Sequence, residues 1–434
     1  MRDFRIHQVI VNHLGVFEHL DLQLKEKVDA KKADIHILTG ENGTGKSTIL
    51  QVISNLTTPH QLTPKAHLDF KDQVYAEIRF SSFQESIKIG ESEILAFEGW
   101  RNKFNNGQWQ VERNKHDALF KYFQKWHSYQ FEKFDFAIFA YSGYRRLDQT
   151  NISYIQEISE NPLERSLDIS NSINPQILLQ WVANTKTKEA LAYTRNDLAK
   201  AEQYKNSIKR IEKVVSDITG LQVEFILADN PLQVQINIDG IKLNFSLLAD
   251  GIKSIISWIA DLLMRMDRLS WNNDVEVFDR NFILLLDEVE VHLHPAWQRK
   301  VLPIIQELFR NAQIIVSTHS PFVANSVDNA WIYKLKRVGH FSVLDGEPIL
   351  SENAKSYRTI MEEIFGINRQ FGDEVEKDLD RFYSMKNEIL TNKRVFKDPE
   401  FHTLANSLRQ QSIELESIIG MELKQMNRLS KAEG

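Results

Sequence analysis

The amino-acid sequence predicts an α/β fold, and three apolar segments with chemically distinctive ends support this prediction. The first, IHIL at 35–38, runs directly into a glycine-rich loop that is followed by a segment with helical spacing. The second, FILLLDE at 282–288, ends in two carboxylates, and the third, QIIVSTH at 313–319, ends in a histidine. Short apolar runs of this kind are typical of buried strands. We therefore expect strands whose ends carry polar groups, with the acidic strand beside the strand that precedes the glycine-rich loop.

The composition is that of an ordinary soluble globular protein, with 42% hydrophobic and 26% charged residues among 434. This length allows two or three domains. No apolar run approaches the roughly 18 residues that a membrane-spanning helix needs, and the start lacks the apolar core of a signal peptide. We therefore expect a cytoplasmic location and no membrane partner. The chain has no cysteine, which excludes disulfides, and its net charge of −6 gives no overall basic surface for nucleic acid.

The glycine-rich loop, GENGTGKS at 40–47, matches the pattern GxxxxGK[ST]. Small residues let the backbone N–H groups of such a loop surround phosphate groups at a helix N-terminus. Lys46 would neutralise phosphate charge, and the hydroxyl of Ser47 would bind Mg²⁺. A chance glycine-rich turn is the alternative, which the strand before the loop and the helix after it disfavour. The predicted nucleotide-binding residues are Gly40, Asn42, Gly43, Thr44, Gly45, Lys46, Ser47 and Thr48.

The acidic pair and the strand-end histidine predict the chemistry that acts on the bound phosphates. Asp287 is placed to hold Mg²⁺ together with Ser47, and Glu288 can polarise the attacking water as a general base. His319 can hydrogen-bond the terminal phosphate and respond to its loss. Each of these residues alone is an ordinary polar strand end. In this order after the glycine-rich loop, they predict hydrolysis of ATP with Mg²⁺ as the cofactor.

The three segments together resemble the ABC-type ATPases, and specifically their SMC/Rad50/OLD-like branch (AAA15/AAA21). The stretch DEVEVHLHP at 287–295 is similar to the DEPExHLHP stretch of that branch. The resemblance covers about residues 1–60 and 220–340, and it implies a P-loop NTPase fold of the ABC type. A metal site formed by His292 and His294 is an alternative that their position just after the general base disfavours.

The resemblance also implies a signature segment that contacts the terminal phosphate held by a partner subunit. The best match is LADGIKS at 248–254, at the start of a predicted helix. Alanine at 249 stands where the family has serine, which predicts slow turnover or weak ATP-driven dimerisation. The loop at 142–146 follows a predicted strand at 136–141, where the family has a glutamine. No glutamine is present there, and its role stays open. The predicted signature residues are Leu248, Ala249, Asp250, Gly251 and Lys253.

Two regions are predicted along the chain: an ABC-type ATPase head at 1–345 and a C-terminal helical region at 346–434. Within the head we expect a mixed β insertion at 57–135, including a lysine- and aromatic-rich helix near 115–133, and a helical lobe at 150–220. Within the helical lobe, a polar helix is expected near 186–217. An Asp-Gly pair at 239–240, between alternating segments, predicts a β-hairpin.

The C-terminal region predicts a helical hairpin. Asp398 and Pro399 form an N-cap and first-turn pair that would open its last helix. Apolar residues fall on one face of each predicted helix, and such a face can pack within the chain, on another subunit or on a partner. We expect oligomerisation or partner docking, because the chain carries no effector domain of its own. The residues that form these faces are Val375, Leu379, Phe382, Ile389, Leu404, Leu408, Leu415, Ile419 and Met426.

The segment at 346–357 and the FGI at 365–367 resemble the PtuA-type ATPases of Septu and retron-linked antiphage systems. That resemblance implies a homo-oligomer built on ATP-sandwich dimers, and an HNH nuclease partner of the PtuB type that the ATPase controls. DNA would then be reached through the partner. The alternative is an SMC/Rad50-like ATPase that binds DNA directly in repair or recombination, although the sequence has no long coiled-coil arms. Salt-dependent DNA binding by the purified chain would favour this alternative.

Overall fold

The computed structural model divides the chain into two compact units, Met1–Ile360 and Met361–Gly434, and each is described by itself. The predicted helix near 115–133 lies outside the described residues, apart from its last position. The described residues are 4–55, 74–80, 99–105, 108–113, 133–143, 145, 152, 154–169, 173–272, 275–352, 355–367, 369–391 and 398–432.

A largely parallel sheet organises the first unit and carries all three distinctive segments. Its strand order is β14-β13-β3-β12-β11-β7, with β15 paired to β13. Strands β7, β11, β12, β3 and β13 run parallel to one another, and their residues are mostly buried, as in a sheet covered on both faces. The strands are β3 (Asp34–Gly40), β7 (Phe136–Tyr141), β11 (Asn281–Leu286), β12 (Ala312–Ser317), β13 (Trp331–Val338), β14 (Phe341–Leu344) and β15 (Ile349–Leu350).

The order of these strands corrects one prediction. The acidic strand β11 is not the neighbour of β3, because β12, the strand that ends before His319, lies between them. The predicted groups still meet, since parallel strands present their carboxyl ends at one edge of the sheet. The loop after β3, the acidic pair after β11 and the histidine after β12 therefore share that edge.

An antiparallel sheet, with strand order β2-β1-β4-β5-β6, contains the N-terminal hairpin. Within the segment 57–135, the alternating stretch VYAEIRF at 74–80 forms β4. The described strands of the 57–135 segment extend the sheet that the N-terminal hairpin begins, so they do not form a separate sheet. The strands are β1 (Ile6–Leu14), β2 (Phe17–Gln23), β4 (Val74–Phe80), β5 (Gly99–Asn105) and β6 (Gln108–Arg113).

A small antiparallel sheet of β8 (Val223–Asp229), β9 (Leu232–Ile238) and β10 (Ile241–Leu243) follows the helical lobe. The predicted hairpin turn is confirmed, with φ of 49° at Asp239 and 89° at Gly240. Two consecutive residues with positive φ are typical of the tight turn that Asp-Gly favours between antiparallel strands.

The helices of the first unit agree with the sequence prediction at the glycine-rich loop and at the signature segment. None of the helices in the described residues combines the length and the apolar character that a bilayer crossing requires. The helices are α1 (Lys46–Ser54), α2 (Pro175–Thr194), α3 (Leu198–Thr219), α4 (Asp250–Arg268), α5 (Pro295–Leu308), α6 (Pro321–Ala324) and α7 (Tyr357–Glu363).

The helical lobe departs from the prediction in two places. The expected helix at 186–217 is broken between α2 and α3, where Asn196 has a φ of 63° and Asp197 caps α3 by accepting a hydrogen bond from the Lys200 amide. Residues 154–169 form turns and no α-helix. The carbonyl oxygens of residues 162 and 164 accept hydrogen bonds from the buried guanidinium of Arg265. These carbonyl groups are therefore paired with a side chain and not with the amides of a helix.

The second unit contains α8 (Asp373–Leu390), α9 (Pro399–Gln411) and α10 (Ile413–Ala432). The predicted last helix is therefore two helices, because Ser412 is extended and its hydroxyl accepts a hydrogen bond from the Leu415 amide at 3.1 Å. The predicted apolar faces largely pack against one another within the chain. The core of the unit consists of Leu379, Phe382, Met385, Phe401, Ala405, Leu408, Leu415, Ile419 and Met426.

Candidate nucleotide-binding and catalytic site

The loop between β3 and α1 requires glycine at three predicted positions. Gly40, Gly43 and Gly45 have φ angles of 145°, 76° and 95°, a region that side chains disfavour. A Cβ on Gly40 would lie 2.2 Å from the carbonyl oxygen of Leu335, and a Cβ on Gly45 would lie 2.4 Å from the ring of Phe17. The loop therefore packs closely against β13 on one side and against the N-terminal hairpin on the other.

The lysine of the loop is held over the loop backbone. Lys46 is 4% exposed, and its Nζ donates hydrogen bonds to the carbonyl oxygens of Gly40 at 3.0 Å and Glu41 at 2.9 Å. Burial lowers the pKa of Lys46, whereas the nearby carboxylates of Asp287 and Glu288 raise it. The ammonium group thus lies between the loop and the acidic pair, where a phosphate group would meet it.

The other predicted residues of the loop have different surroundings. Asn42 is exposed, whereas Thr44 is buried and its hydroxyl donates to the carbonyl oxygen of Glu41 at 2.8 Å. Thr48 lies in the first turn of α1, where its methyl group would be 3.0 Å from a Cβ on Gly15 of the β1–β2 turn. The Thr44 hydroxyl therefore stabilises the loop, Thr48 packs beside Gly15, and Asn42 is open to a ligand.

The two predicted metal-binding residues are in direct contact. The hydroxyl of Ser47 donates to Oδ1 of Asp287 at 3.0 Å, and the hydroxyl of Ser317 donates to the same oxygen. A hydroxyl beside one carboxylate fits Mg²⁺, which prefers oxygen ligands and completes its shell with phosphate oxygens and water. Among the described residues, no group of three or more histidine, aspartate or glutamate side chains is arranged to hold a metal ion, and a Mg²⁺ site of this kind does not need one. Ser317 was missed by the sequence analysis.

The predicted general base is confined by its backbone and by a glycine. Glu288 has a φ of 45°, an uncommon conformation for a residue with a side chain and one that often occurs at functional sites. Its amide donates to the hydroxyl of Ser317 at 2.8 Å. A Cβ on Gly143, after β7, would lie 2.8 Å from the Cβ of Glu288 and 3.0 Å from its Oε2. Only glycine leaves room for the carboxylate there.

The predicted histidine is anchored through its backbone to a second glutamate. The amide of His319 donates to Oε1 of Glu290 at 2.5 Å. Burial, together with the charge of Lys46, lowers the pKa of His319, which favours the neutral imidazole. Burial raises the pKa of Glu290. The sequence pattern included Glu290 in DEVEVHLHP without a role, and the structure shows that it holds the backbone at the end of β12.

An arginine without a predicted role, Arg145, lies close to the carboxylates of Asp287, Glu288 and Glu290. Arg145 is 4% exposed; its Nε donates to the carbonyl oxygen of Ser142 at 2.6 Å and its Nη2 to that of Asp287 at 2.9 Å. Its guanidinium lies 5.9 Å from the ring centroid of Trp258, on α4. Burial lowers the pKa of Arg145 to about 10, so the group remains charged at neutral pH.

The predicted signature residues lie at the start of α4. Ala249 is the N-cap residue, and Asp250 is in the first turn. The ammonium of Lys253 donates to the carbonyl oxygen of Ser246 at 3.1 Å. A Cβ on Gly251 would lie 2.6 Å from the carbonyl oxygen of His292, so the helix start packs closely on the segment after Glu288. Leu248 is buried.

A parallel sheet whose edge carries a phosphate-binding loop, a Ser–Asp contact suited to Mg²⁺ and a neighbouring histidine defines a P-loop NTPase of the ABC ATPase type. The family described as "AAA domain, putative AbiEii toxin, Type IV TA system" matches residues 35–325, which is more than half of the chain. The chain belongs to this family.

The chain is also similar to a Septu protein and to two retron proteins. The retron Ec83 probable ATPase of Escherichia coli is 29% identical over 187 residues, which cover 41% of this chain and 34% of that protein. The Septu protein PtuA of Bacillus thuringiensis is 24% identical over 328 residues, covering 74% and 73%. The retron Vc95 probable ATPase of Vibrio cholerae serotype O1 biovar El Tor is 24% identical over 368 residues, covering 71% and 70%. The predicted resemblance to PtuA-type ATPases is confirmed, although the chain spans only about a third of the first relative.

Proposed function

We propose that this chain binds ATP with Mg²⁺ at the edge of the parallel sheet and hydrolyses it to ADP and phosphate. The observation that carries the proposal is the contact of 3.0 Å between the hydroxyl of Ser47 and Asp287, beside the buried ammonium of Lys46. One group from the loop and one from the acidic strand thus meet where a phosphate-bound Mg²⁺ would be held.

Each residue at the sheet edge has a distinct role in this proposal. Lys46 and the loop amides bind the phosphates, while Ser47 and Asp287 hold Mg²⁺, which supplies charge neutralisation when bound. Glu288 accepts a proton from the attacking water, because its carboxylate is directed by Gly143 and by its own backbone. His319, with a lowered pKa, donates one ring N–H to the terminal phosphate as a neutral imidazole.

The site is completed in trans by a second copy of the chain. The start of α4, with Leu248, Ala249, Asp250, Gly251 and Lys253, would face the terminal phosphate held by the partner subunit. Gly251 packs closely on the segment after Glu288 of its own subunit, so a partner that contacts the start of α4 would also lie near that segment. Alanine at 249 removes one hydroxyl donor from that interface, so dimerisation on ATP would be weak.

The biological role that we propose is regulation within an antiphage defence complex. Three of the chain's relatives are a Septu protein and two retron proteins, and the two retron proteins are named as probable ATPases. The nucleotide-binding residues all lie in the first unit, and the chain would control an associated nuclease of the HNH, PtuB type through nucleotide-dependent assembly. DNA would be contacted through that nuclease.

Two variants test the ATPase assignment, because they should fail at different steps. Lys46→Ala removes the main charge partner of the phosphates and should abolish ATP binding in isothermal titration. Glu288→Gln keeps the phosphate contacts and should bind ATP normally while turnover falls by roughly 10²–10⁴-fold. Equal loss of binding in both variants would contradict these roles.

Co-purification of the chain with the products of neighbouring genes tests the regulatory role. A nuclease that is retained with ATP and released with ADP, or the reverse, would support it. Tight, salt-dependent DNA binding by the purified chain alone, with no retained nuclease, would contradict it and favour direct action on DNA.

A further inference from the structure

Arg145 holds one particular peptide group from its carbonyl side. The carbonyl oxygen of Asp287, which accepts from Nη2 of Arg145, belongs to the peptide that joins Asp287 to Glu288. The N–H of the same peptide, on Glu288, donates to the hydroxyl of Ser317 at 2.8 Å. Both ends of this peptide are therefore held by side chains from neighbouring parts of the sheet edge, Arg145 after β7 and Ser317 at the end of β12.

The orientation of that peptide plane is coupled to the backbone conformation of both acidic residues. A peptide plane is rigid, so its rotation changes ψ of the residue before it and φ of the residue after it. The residue after it, Glu288, has a φ of 45°, which must be stabilised by its surroundings. If the plane were released and φ of Glu288 changed without an equal and opposite change in ψ of Asp287, the chain would take a different course and the Glu288 carboxylate would be displaced relative to that of Asp287.

Arg145 is well suited to hold the plane. Its Nε and Nη2 donate to carbonyl groups at the ends of β7 and β11, so one rigid fork joins the two strands. Its charge opposes the mutual repulsion of the Asp287, Glu288 and Glu290 carboxylates. Its remaining group, Nη1, is buried and makes no hydrogen bond to the part of the chain that the structure describes. Burying a guanidinium costs free energy, and here the group lies over the face of Trp258, which attracts a cation.

We infer that Arg145 is a positioning residue that locks the Asp287–Glu288 peptide plane, so that Asp287 is directed at Mg²⁺ and Glu288 at the attacking water. This inference rests on the proposed ATPase function. It assigns to the loop after β7 a role in arranging the acidic pair, through two hydrogen bonds to backbone carbonyls and not through a bond to the nucleotide.

The experiment compares Arg145→Met and Arg145→Lys with the parent chain, using Arg195→Met, an exposed arginine at the end of α2, as the matched control. The affinities for ATP and ADP are measured in EDTA and again with Mg²⁺, and turnover is measured at saturating ATP–Mg²⁺. Thermal melting identifies any variant that fails to fold. Should the methionine variant fail, the lysine variant decides the question, because a single ammonium cannot span both carbonyl groups.

The expected result is a split between binding and turnover. In EDTA, ATP affinity should stay within about threefold of the parent, because Arg145 does not touch the phosphates. The increase in affinity that Mg²⁺ gives the parent should be largely lost, and turnover should fall by on the order of 10²-fold in both variants, the effect of a carboxylate misplaced by about 1 Å. The Arg195 variant should match the parent throughout.

Two outcomes would overturn the inference. A loss of affinity in EDTA that affects ATP but not ADP would show that Arg145 contacts the terminal phosphate directly. Recovery of parental turnover by Arg145→Lys would show that charge alone matters. If the ATPase proposal is wrong, the parent chain itself will bind ATP without hydrolysing it. The Mg²⁺ dependence of ATP affinity in the Arg145 variants still tests the positioning role in that case.

Discussion

Gly143→Ala should impair turnover without impairing ATP binding, because of the space around the general base. The new Cβ would lie 2.8 Å from the Cβ of Glu288, 3.0 Å from its Oε2 and 3.3 Å from the side chain of Val291. Carbon atoms in ordinary contact are about 3.5–4.0 Å apart, so Glu288 would have to retreat by about 1 Å. A misplacement of this size lowers turnover by on the order of 10²-fold. This fall corresponds to about 2.7 kcal/mol of transition-state stabilisation.

Steady-state hydrolysis at saturating ATP–Mg²⁺, combined with equilibrium ATP binding, measures this effect. The backbone of Gly143 does not lie in the left-handed region, so the expected defect is steric and local. Gly420→Ala is the matched control, because a Cβ on Gly420 would meet no atom within 4 Å and turnover should be unchanged. Parental turnover in Gly143→Ala would refute the placement of Glu288 against this loop. A parallel loss of ATP binding would refute the separation between binding and catalysis.

Three further perturbations test other parts of the molecule. Ala249→Ser should raise turnover or ATP-dependent dimerisation, and a rate per subunit that stays flat and unchanged across protein concentrations would argue against the signature assignment. Truncation after Gly372, which removes α8, α9 and α10, should leave a folded chain that binds ATP, because these helices have a core of their own; an insoluble product would show that the rest of the chain depends on them. Tyr141→Phe removes a hydrogen bond of 2.8 Å to the buried carboxylate of Asp261. It should lower the free energy of unfolding by about 1.5–3 kcal/mol in urea titrations, whereas a neutral effect would show that Asp261 is satisfied without Tyr141.

The sequence was most informative where a local pattern determines the structure. The strand predicted at 136–141 forms at those residues, the apolar run at 282–288 forms β11 at Asn281–Leu286, and α4 begins within the predicted signature segment at 248–254. The glycine-rich loop was predictable for the same reason, because its backbone angles demand glycine at three nearby positions. In each case the physical cause lies within about ten consecutive residues.

Contacts between distant segments account for what the sequence did not reveal. The position of β12 between β3 and β11 follows from pairing across the chain, and so does the meeting of Ser317 with Asp287. The turns at 154–169 depend on the guanidinium of Arg265, about a hundred residues later. Arg145 is unremarkable in its own stretch of sequence, and its role becomes visible only beside the carboxylates that surround it.

The glycine-rich loop packs closely against two hairpins, and this packing predicts where ATP should slow hydrogen exchange. Gly45 lies against Phe17 and Gly40 against Leu335, so the β1–β2 and β13–β14 hairpins flank the loop. The two hairpins are also joined directly, by the Ser342 amide donating to the Val16 carbonyl at 3.0 Å. A ligand that tightens the loop must reduce local opening of both hairpins, since binding stabilises every element that the bound state requires. Amide protection gained on ATP binding should therefore extend to residues 14–17 and 338–342, well outside the segments that touch phosphate.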